Sequence, residues 1–285
     1  MINERRFELP AGTMAALEVG SVERTELSVV FLHGWMDNAG SFKVLMERLH
    51  QLNPNIHLLA IDLFGHGLSS HKSYDNYYPF HDYIDDLHQL LDKLSSNRLM
   101  LVGHSLGALI ASCYSAAFPE RVEALVQIEG AGPLSEPPDN SLQRLRDGVL
   151  SRHRQQSKSN RAIASFDLAL KLRMQTNHLT ADQLMPIVER GTECREDKWF
   201  WRHDAKLKCA SLYRMAQEHA NAITSQIRCP HLIILGDKGF QHLQSNQVDW
   251  GENLPKVVSV VGGHHCHLEQ ALEVAERILG VVNKI

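Results

Sequence analysis

Cysteine is scarce. Cys113, Cys194, Cys209, Cys229 and Cys266 are the five in 285 residues, and no two of them form a CxxC pair. Scattered thiols in odd number argue against a disulfide framework and for reduced side chains, so the cytoplasm is the expected compartment. No apolar run approaches the roughly 20 residues that a membrane helix needs. The first residues, Met1-Ile2-Asn3-Glu4-Arg5-Arg6, lack the apolar stretch of a secretory signal. Charge of one sign is missing too. With 29 basic against 33 acidic side chains the net charge is −4, which gives no whole-chain field for nucleic acid or an anionic membrane. Internal repeats and low-complexity tracts are also absent.

What remains is the composition of a globule with a sizeable core, 44 % hydrophobic and 22 % charged. The length suits one large domain, or one domain carrying a substantial insertion. In the first third, short β-rich runs alternate with amphipathic helical patterns. Ser28–Leu32, His57–Ile61, Leu99–Val102 and Ala124–Ile128 read as strands. Helices are predicted from about Ser41, through Tyr83, Leu87, Leu90, Leu91 and Leu94, and over Leu106–Phe118. Helices between continuous apolar strands imply parallel pairing with both sheet faces covered. From about Leu134 to Ser225 the pattern is helical and almost without strand signals, with a capping box at Thr180-Ala181-Asp182-Gln183 and a helix end at Gly191. Strands return at His231–Leu235 and Val257–Val261, and a closing helix is expected over Leu268–Leu279. The predicted organisation is therefore a sheet-based core, residues 1–132 and 226–285, interrupted by a helical insertion over 133–225.

The strongest chemical signal is Gly103-His104-Ser105-Leu106-Gly107, a G-x-S-x-G between a strand and a helix. A serine on such a tight turn projects its hydroxyl above the sheet, and flanking glycines leave room for the cramped backbone. The Leu106 N–H then lies where an oxyanion would develop, aided by the helix dipole. A serine hydroxyl needs a base, and this motif class places its histidine after the final strand. Val261-Gly262-Gly263-His264-His265-Cys266-His267 lies there, and His264, directly after the glycine pair, is the candidate. His265 and His267 compete with it, and the His-His-Cys-His run also invites a zinc reading. No second ligand cluster is visible, so no metal is expected. A second oxyanion donor should come from the loop after Ser28–Leu32, where Gly34 permits close backbone approach and the Trp35 N–H is the candidate. His33, Gly34 and His104 flank these donors and the nucleophile and are expected to contact substrate.

Together these residues resemble the α/β-hydrolase superfamily over nearly the whole chain, and within it the serine hydrolase-like proteins. The resemblance rests on Leu32-His33-Gly34-Trp35-Met36-Asp37-Asn38, Asp62-Leu63-Phe64-Gly65-His66-Gly67-Leu68-Ser69-Ser70-His71, the Ser105 turn, Glu189-Arg190-Gly191-Thr192 and Gly263-His264. It implies an α/β-hydrolase fold with an eight-stranded, mostly parallel sheet, a helical cap over the active site and no cofactor. It also implies that Asp62–Ser69 is a structural turn near the pocket mouth. The chain departs from the pattern at one position. In most relatives the triad acid follows the strand before the last, three residues after a glycine, and here Leu235-Gly236-Asp237-Lys238-Gly239 puts Gly239 there. Asp237, two residues earlier, could substitute. So could Glu129, which closes the strand after the nucleophile helix and resembles the acid of haloalkane dehalogenases in that placement. Glu129 is preferred for its reach.

The expected activity is hydrolysis of a small or medium carboxylic ester through an acyl-enzyme on Ser105. A thioesterase or C–C bond hydrolase would use the same parts. Dehalogenase and epoxide hydrolase chemistry is disfavoured, because those families resemble this one but carry a carboxylate where Ser105 stands. A ligand-binding protein with little turnover is the reading from a different class, motivated by the displaced acid. The insertion should set substrate choice. Trp199-Phe200-Trp201 is expected on a helix, with one or two rings lining the cavity. Between Ser141 and Gln175 eight basic residues face two acidic ones, which reads first as a solvated helix face and second as an attraction for anionic substrate. Oligomeric state leaves no trace in the sequence.

Overall fold

The computed structural model describes residues 1–285 apart from 23, 24, 95, 97, 159, 160 and 245–249. Its centre is an eight-stranded sheet built from β1 (Asn3–Leu9), β2 (Gly12–Val19), β3 (Leu27–Leu32), β4 (His57–Ile61), β5 (Arg98–His104), β6 (Ala124–Ile128), β9 (His231–Gly236) and β10 (Lys256–Val260). The spatial order is β1-β2-β4-β3-β5-β6-β9-β10. β2 pairs antiparallel with both β1 and β4, and the other pairings of this sheet are parallel.

The continuous apolar runs have a simple cause. Every residue of β3, β4 and β6 is buried, because helices cover both faces of a parallel sheet. Alternate residues serve opposite layers. Val30, Leu32, Leu59 and Ile61 pack under α2 (Asp82–Leu91) and α3 (Leu106–Ala117). Val29, Phe31, Leu58 and Ala60 pack under α1 (Lys43–Leu52) and α10 (Ala271–Val282). Each fully buried Leu or Phe contributes about 1.5–3 kcal/mol.

β6 and β9 are sheet neighbours, yet a long excursion separates them in sequence. It holds α4 (Ser141–Gln156), α5 (Phe166–Asn177), α6 (Ala181–Gly191), the hairpin β7 (Thr192–Arg195) and β8 (Lys198–Trp201), and α7 (Gln217–Thr224). The predicted capping box at Thr180 and Gln183 is present, and α6 ends at Gly191. α7 already returns to the core, packing against α3. Trp199-Phe200-Trp201 corrects the sequence reading, for these rings lie on β8 and not on a helix. The hairpin turn is Glu196-Asp197, both with positive φ of 49° and 60°. Trp199 and Trp201 therefore share one face and pack on the cluster of Ile163, Leu170, Leu184 and Val188. The closing helix also differs from expectation, breaking at Gln270 into α9 (Cys266–Glu269), after the short α8 (Gln241–Gln244), and α10. Among the described residues no helix is long and apolar enough to cross a membrane.

Candidate active site

Ser105 sits between β5 and α3 with φ 49° and ψ −116°, a conformation that L residues rarely adopt and that costs on the order of 1–3 kcal/mol. The surroundings hold it there. Its N–H donates to the Ile128 carbonyl at 2.9 Å, and its own carbonyl accepts from the Ala108 and Leu109 N–H groups at 2.9 and 3.2 Å. Gly107 is required by space, since a Cβ there would lie 2.0 Å from the Leu32 carbonyl oxygen. α3 can thus press directly onto β3, fixing the helix start beneath the serine.

Glu129 leaves the end of β6 with φ 49°. Its carboxylate is buried and holds three donors. Gly236 N–H reaches Oε1 at 2.7 Å, Phe240 N–H reaches Oε2 at 3.0 Å, and His264 Nδ1 lies 3.3 Å from Oε2. Burial works to raise its pKa, but the His264 bond and the two backbone donors prevail and lower it. An ionised Glu129 fixes the proton on Nδ1 and leaves Nε2 of His264 as the basic nitrogen. Gly239 explains how the carboxylate fits. A Cβ on Gly239 would stand 2.0 Å from Glu129 Oε1, so the space next to this glycine is filled by a side chain from another strand. Asp237 is engaged elsewhere, its Oδ1 accepting from the Gly262 N–H at 2.9 Å. Of the two carboxylates weighed from sequence, the structure brings Glu129 to His264 and leaves Asp237 bracing the turn before it. Ser105 Oγ makes no hydrogen bond to His264 among the described residues, a contact that in such sites often tightens only with substrate.

Trp35 is 54 % exposed, and its indole N–H donates to the Leu207 carbonyl at 3.2 Å. The backbone N–H groups of Trp35 and Leu106 have no acceptor among the described residues. The loop carrying Trp35 is fixed from behind by two histidines. His33 Nε2 accepts from the Leu63 N–H at 3.0 Å while its Nδ1 faces the Gly34 carbonyl at 2.7 Å. His66 accepts from the Met36 N–H at 3.3 Å. Burial lowers the pKa of His33 to about 4 and that of His66 to about 3, so both stay neutral.

Ser105, Leu106, Glu129 and Trp35 line a cavity of about 1190 Å³. His33, Gly34 and His104 were expected to contact substrate, but none of them lines it. His33 is fully buried with both ring nitrogens on backbone groups. Gly34 is pressed against the elbow, where a Cβ would lie 3.3 Å from the Ser105 Cβ. The His104 ring is fully buried and donates from Nε2 to the His264 carbonyl at 2.8 Å, tying the histidine loop to the elbow. Among the described residues no three His, Cys, Asp or Glu side chains meet as a metal site. The histidines of the last loop part company: His264 meets Glu129, His265 lies 3.4 Å from Asp37, and His267 is buried in the core.

Sequence reading missed Phe240, whose N–H holds Glu129 and whose ring centroid lies 4.2 Å from that of His264. It also missed the ion pairs that anchor the excursion. Arg173 of α5 pairs with buried Asp37, and Arg190 of α6 donates to Asp62 at 2.9 Å. Asp62 also accepts from the Ala39 and Leu68 N–H groups, so the Asp62–Ser69 stretch is a structural turn, as the resemblance implied. Alternating contacts between residues more than a hundred positions apart leave no local pattern to read.

The alpha/beta hydrolase fold family model matches residues 28–269. The chain belongs to that family. Among its α/β-hydrolase relatives, a probable serine hydrolase of Drosophila melanogaster is 33 % identical over 97 % of this chain and 86 % of that protein. A serine hydrolase-like protein of Dictyostelium discoideum is 28 % identical over 97 % of this chain and 80 % of its own length. The crystal structure of a hypothetical protein from Pseudomonas aeruginosa PAO1 superposes with a TM-score of 0.86 at 27 % identity, covering 99 % of each chain.

Proposed function

We propose that this α/β-hydrolase is a serine hydrolase that cleaves a carboxylic ester through an acyl-enzyme on Ser105. The carrying observation is the buried Glu129–His264 pair behind a serine on a strained elbow that opens into a large cavity. Ser105 Oγ attacks the ester carbonyl carbon while its proton passes to His264 Nε2. Trp35 and Leu106 N–H groups hold the resulting oxyanion, a contribution usually worth several kcal/mol of barrier. Collapse breaks the bond to the alcohol oxygen, which takes the proton from Nε2. Water then repeats the sequence on the acyl-enzyme, returning serine and releasing the carboxylic acid. Every proton and charge in this cycle is handled by the chain's own residues.

The excursion between β6 and β9 acts as the cap. Arg144, Leu212 and Tyr213 from it face Ser105 and Leu109 across one cavity, so substrate choice is set there. The names carried by the fruit-fly and slime-mould relatives support a serine nucleophile. A binding protein of low turnover was suggested by the missing acid at Gly239, and the contact between Glu129 and His264 favours the hydrolase reading instead. The test is a panel of p-nitrophenyl esters of increasing acyl length, with Ser105→Ala as the blank. Saturable hydrolysis by the wild type and none above background in the variant is expected. Equal rates in both would overturn the proposal.

A further inference from the structure

The cavity wall is electrostatically lopsided. Arg144, Arg152, Lys206 and Arg214 line it, and Glu129 is the single carboxylate residue that does. That carboxylate is already committed to His264 and two backbone donors. Two of the four cations are also committed. Arg144 forms a paired contact with Glu136, Nε to Oε1 at 2.8 Å and Nη2 to Oε2 at 2.5 Å. Lys206 Nζ caps the Ser73 and Asn76 carbonyls at 2.7 and 2.8 Å and lies 3.5 Å from Asp204.

Arg152 and Arg214 have no ion-pair partner among the described residues. The Arg152 guanidinium lies 4.0 Å from the centroid of the Tyr77 ring, and its Nε is buried without a hydrogen-bond partner. Stacking on an aromatic face holds a guanidinium in a fixed plane and leaves its in-plane N–H groups to receive an oxyanion. Arg214 is half-buried, near the charges of both Arg144 and Glu136. Burial and the Arg144 charge outweigh the Glu136 carboxylate and lower the Arg214 pKa, so a further anion in the cavity would be favourable there.

Resting on the ester-hydrolase reading above, we infer that the substrate carries an oxyanion, a carboxylate or a phosphate, held by Arg152 and Arg214 while the scissile carbonyl lies at Ser105. The cap thereby selects acidic esters over neutral ones of equal length.

Two pairs of probes test this and separate the two anions. Mono-p-nitrophenyl esters of dicarboxylic acids are compared with p-nitrophenyl esters of neutral acids of the same length. S-acyl phosphopantetheine is compared with S-acyl pantetheine. In at least one pair the wild type should favour the charged member by tenfold or more in kcat/KM, expressed in KM. In R152Q/R214Q that ratio should fall towards one, and R152K/R214K should restore part of it. Binding of the uncleaved charged probes to Ser105→Ala, followed by calorimetry, should weaken at least tenfold when R152Q/R214Q is added. This second readout does not depend on turnover, so loss of hydrolysis with retained arginine-dependent binding would strike the reaction and spare the anion site. Ratios near one in both wild-type pairs, or binding indifferent to both arginines, would overturn the inference.

Discussion

Glu129 and Gly239 answer one problem of space. The imidazole needs a carboxylate behind Nδ1, and a Cβ at position 239 would occupy the ground on which the Glu129 carboxylate stands. Glu129→Gln should therefore slow p-nitrophenyl acetate hydrolysis by about 10²–10⁴, in line with neutralising a triad acid. Asp237→Asn should act weakly, since its carboxylate serves the Gly262 N–H. Equal small effects in steady-state kinetics would contradict the assignment. The two positions should also be exchangeable in part. The double change Glu129→Ala with Gly239→Asp should recover more activity than Glu129→Ala alone, because it returns a carboxylate to the same volume from the turn after β9. Ser105 and His264 could be named as candidates because local motifs mark them. The contact between Glu129 and His264 was not settled by sequence, because the two lie 135 residues apart and the space between them is opened by an absent side chain.

At the scale of elements, the parallel strands could be read from their apolar runs and the α6 start from its capping box. The β7–β8 hairpin could not. A two-residue turn with both φ values positive is usually announced by Asn-Gly or Asp-Gly, and here it is built from Glu196-Asp197. Each of these side chains disfavours the left-handed region by about 1 kcal/mol or more. Replacing them by Asn-Gly should stabilise the protein by about 1 kcal/mol, raising the thermal midpoint by a few degrees. An unchanged or lower midpoint in circular dichroism melts would show that the hairpin does not carry that strain. The break at Gln270 was likewise hidden, because the apolar spacing continues from α9 into α10.

Over the whole molecule, several histidines are folded into the core without charge. Burial lowers the pKa of His33 to about 4 and of His66 and His267 to about 3, from an ordinary 6.5. The unfolded chain takes up protons near 6.5 while the folded state does not, so stability is complete above that pH and declines as pH falls towards 4. Each such histidine contributes a slope of about 1.4 kcal/mol per pH unit in that window. His267 is the clearest case, with neither ring nitrogen partnered. His267→Leu should show a shallower loss of thermal midpoint between pH 6.5 and 4.5 than the wild type. Parallel curves would mean that this ring charges freely in the native state.

These scales meet at one oxygen atom. The proposed hydrolysis requires Ser105 to be made nucleophilic by His264, which Glu129 orients. A fluorophosphonate probe reads this directly when the second-order labelling rate is measured and the adduct is located by peptide mass spectrometry. The expected result is labelling of the wild type on Ser105, none in Ser105→Ala, and a rate lowered at least a hundredfold in His264→Ala. Labelling at another residue, or a rate indifferent to the loss of His264, would contradict it.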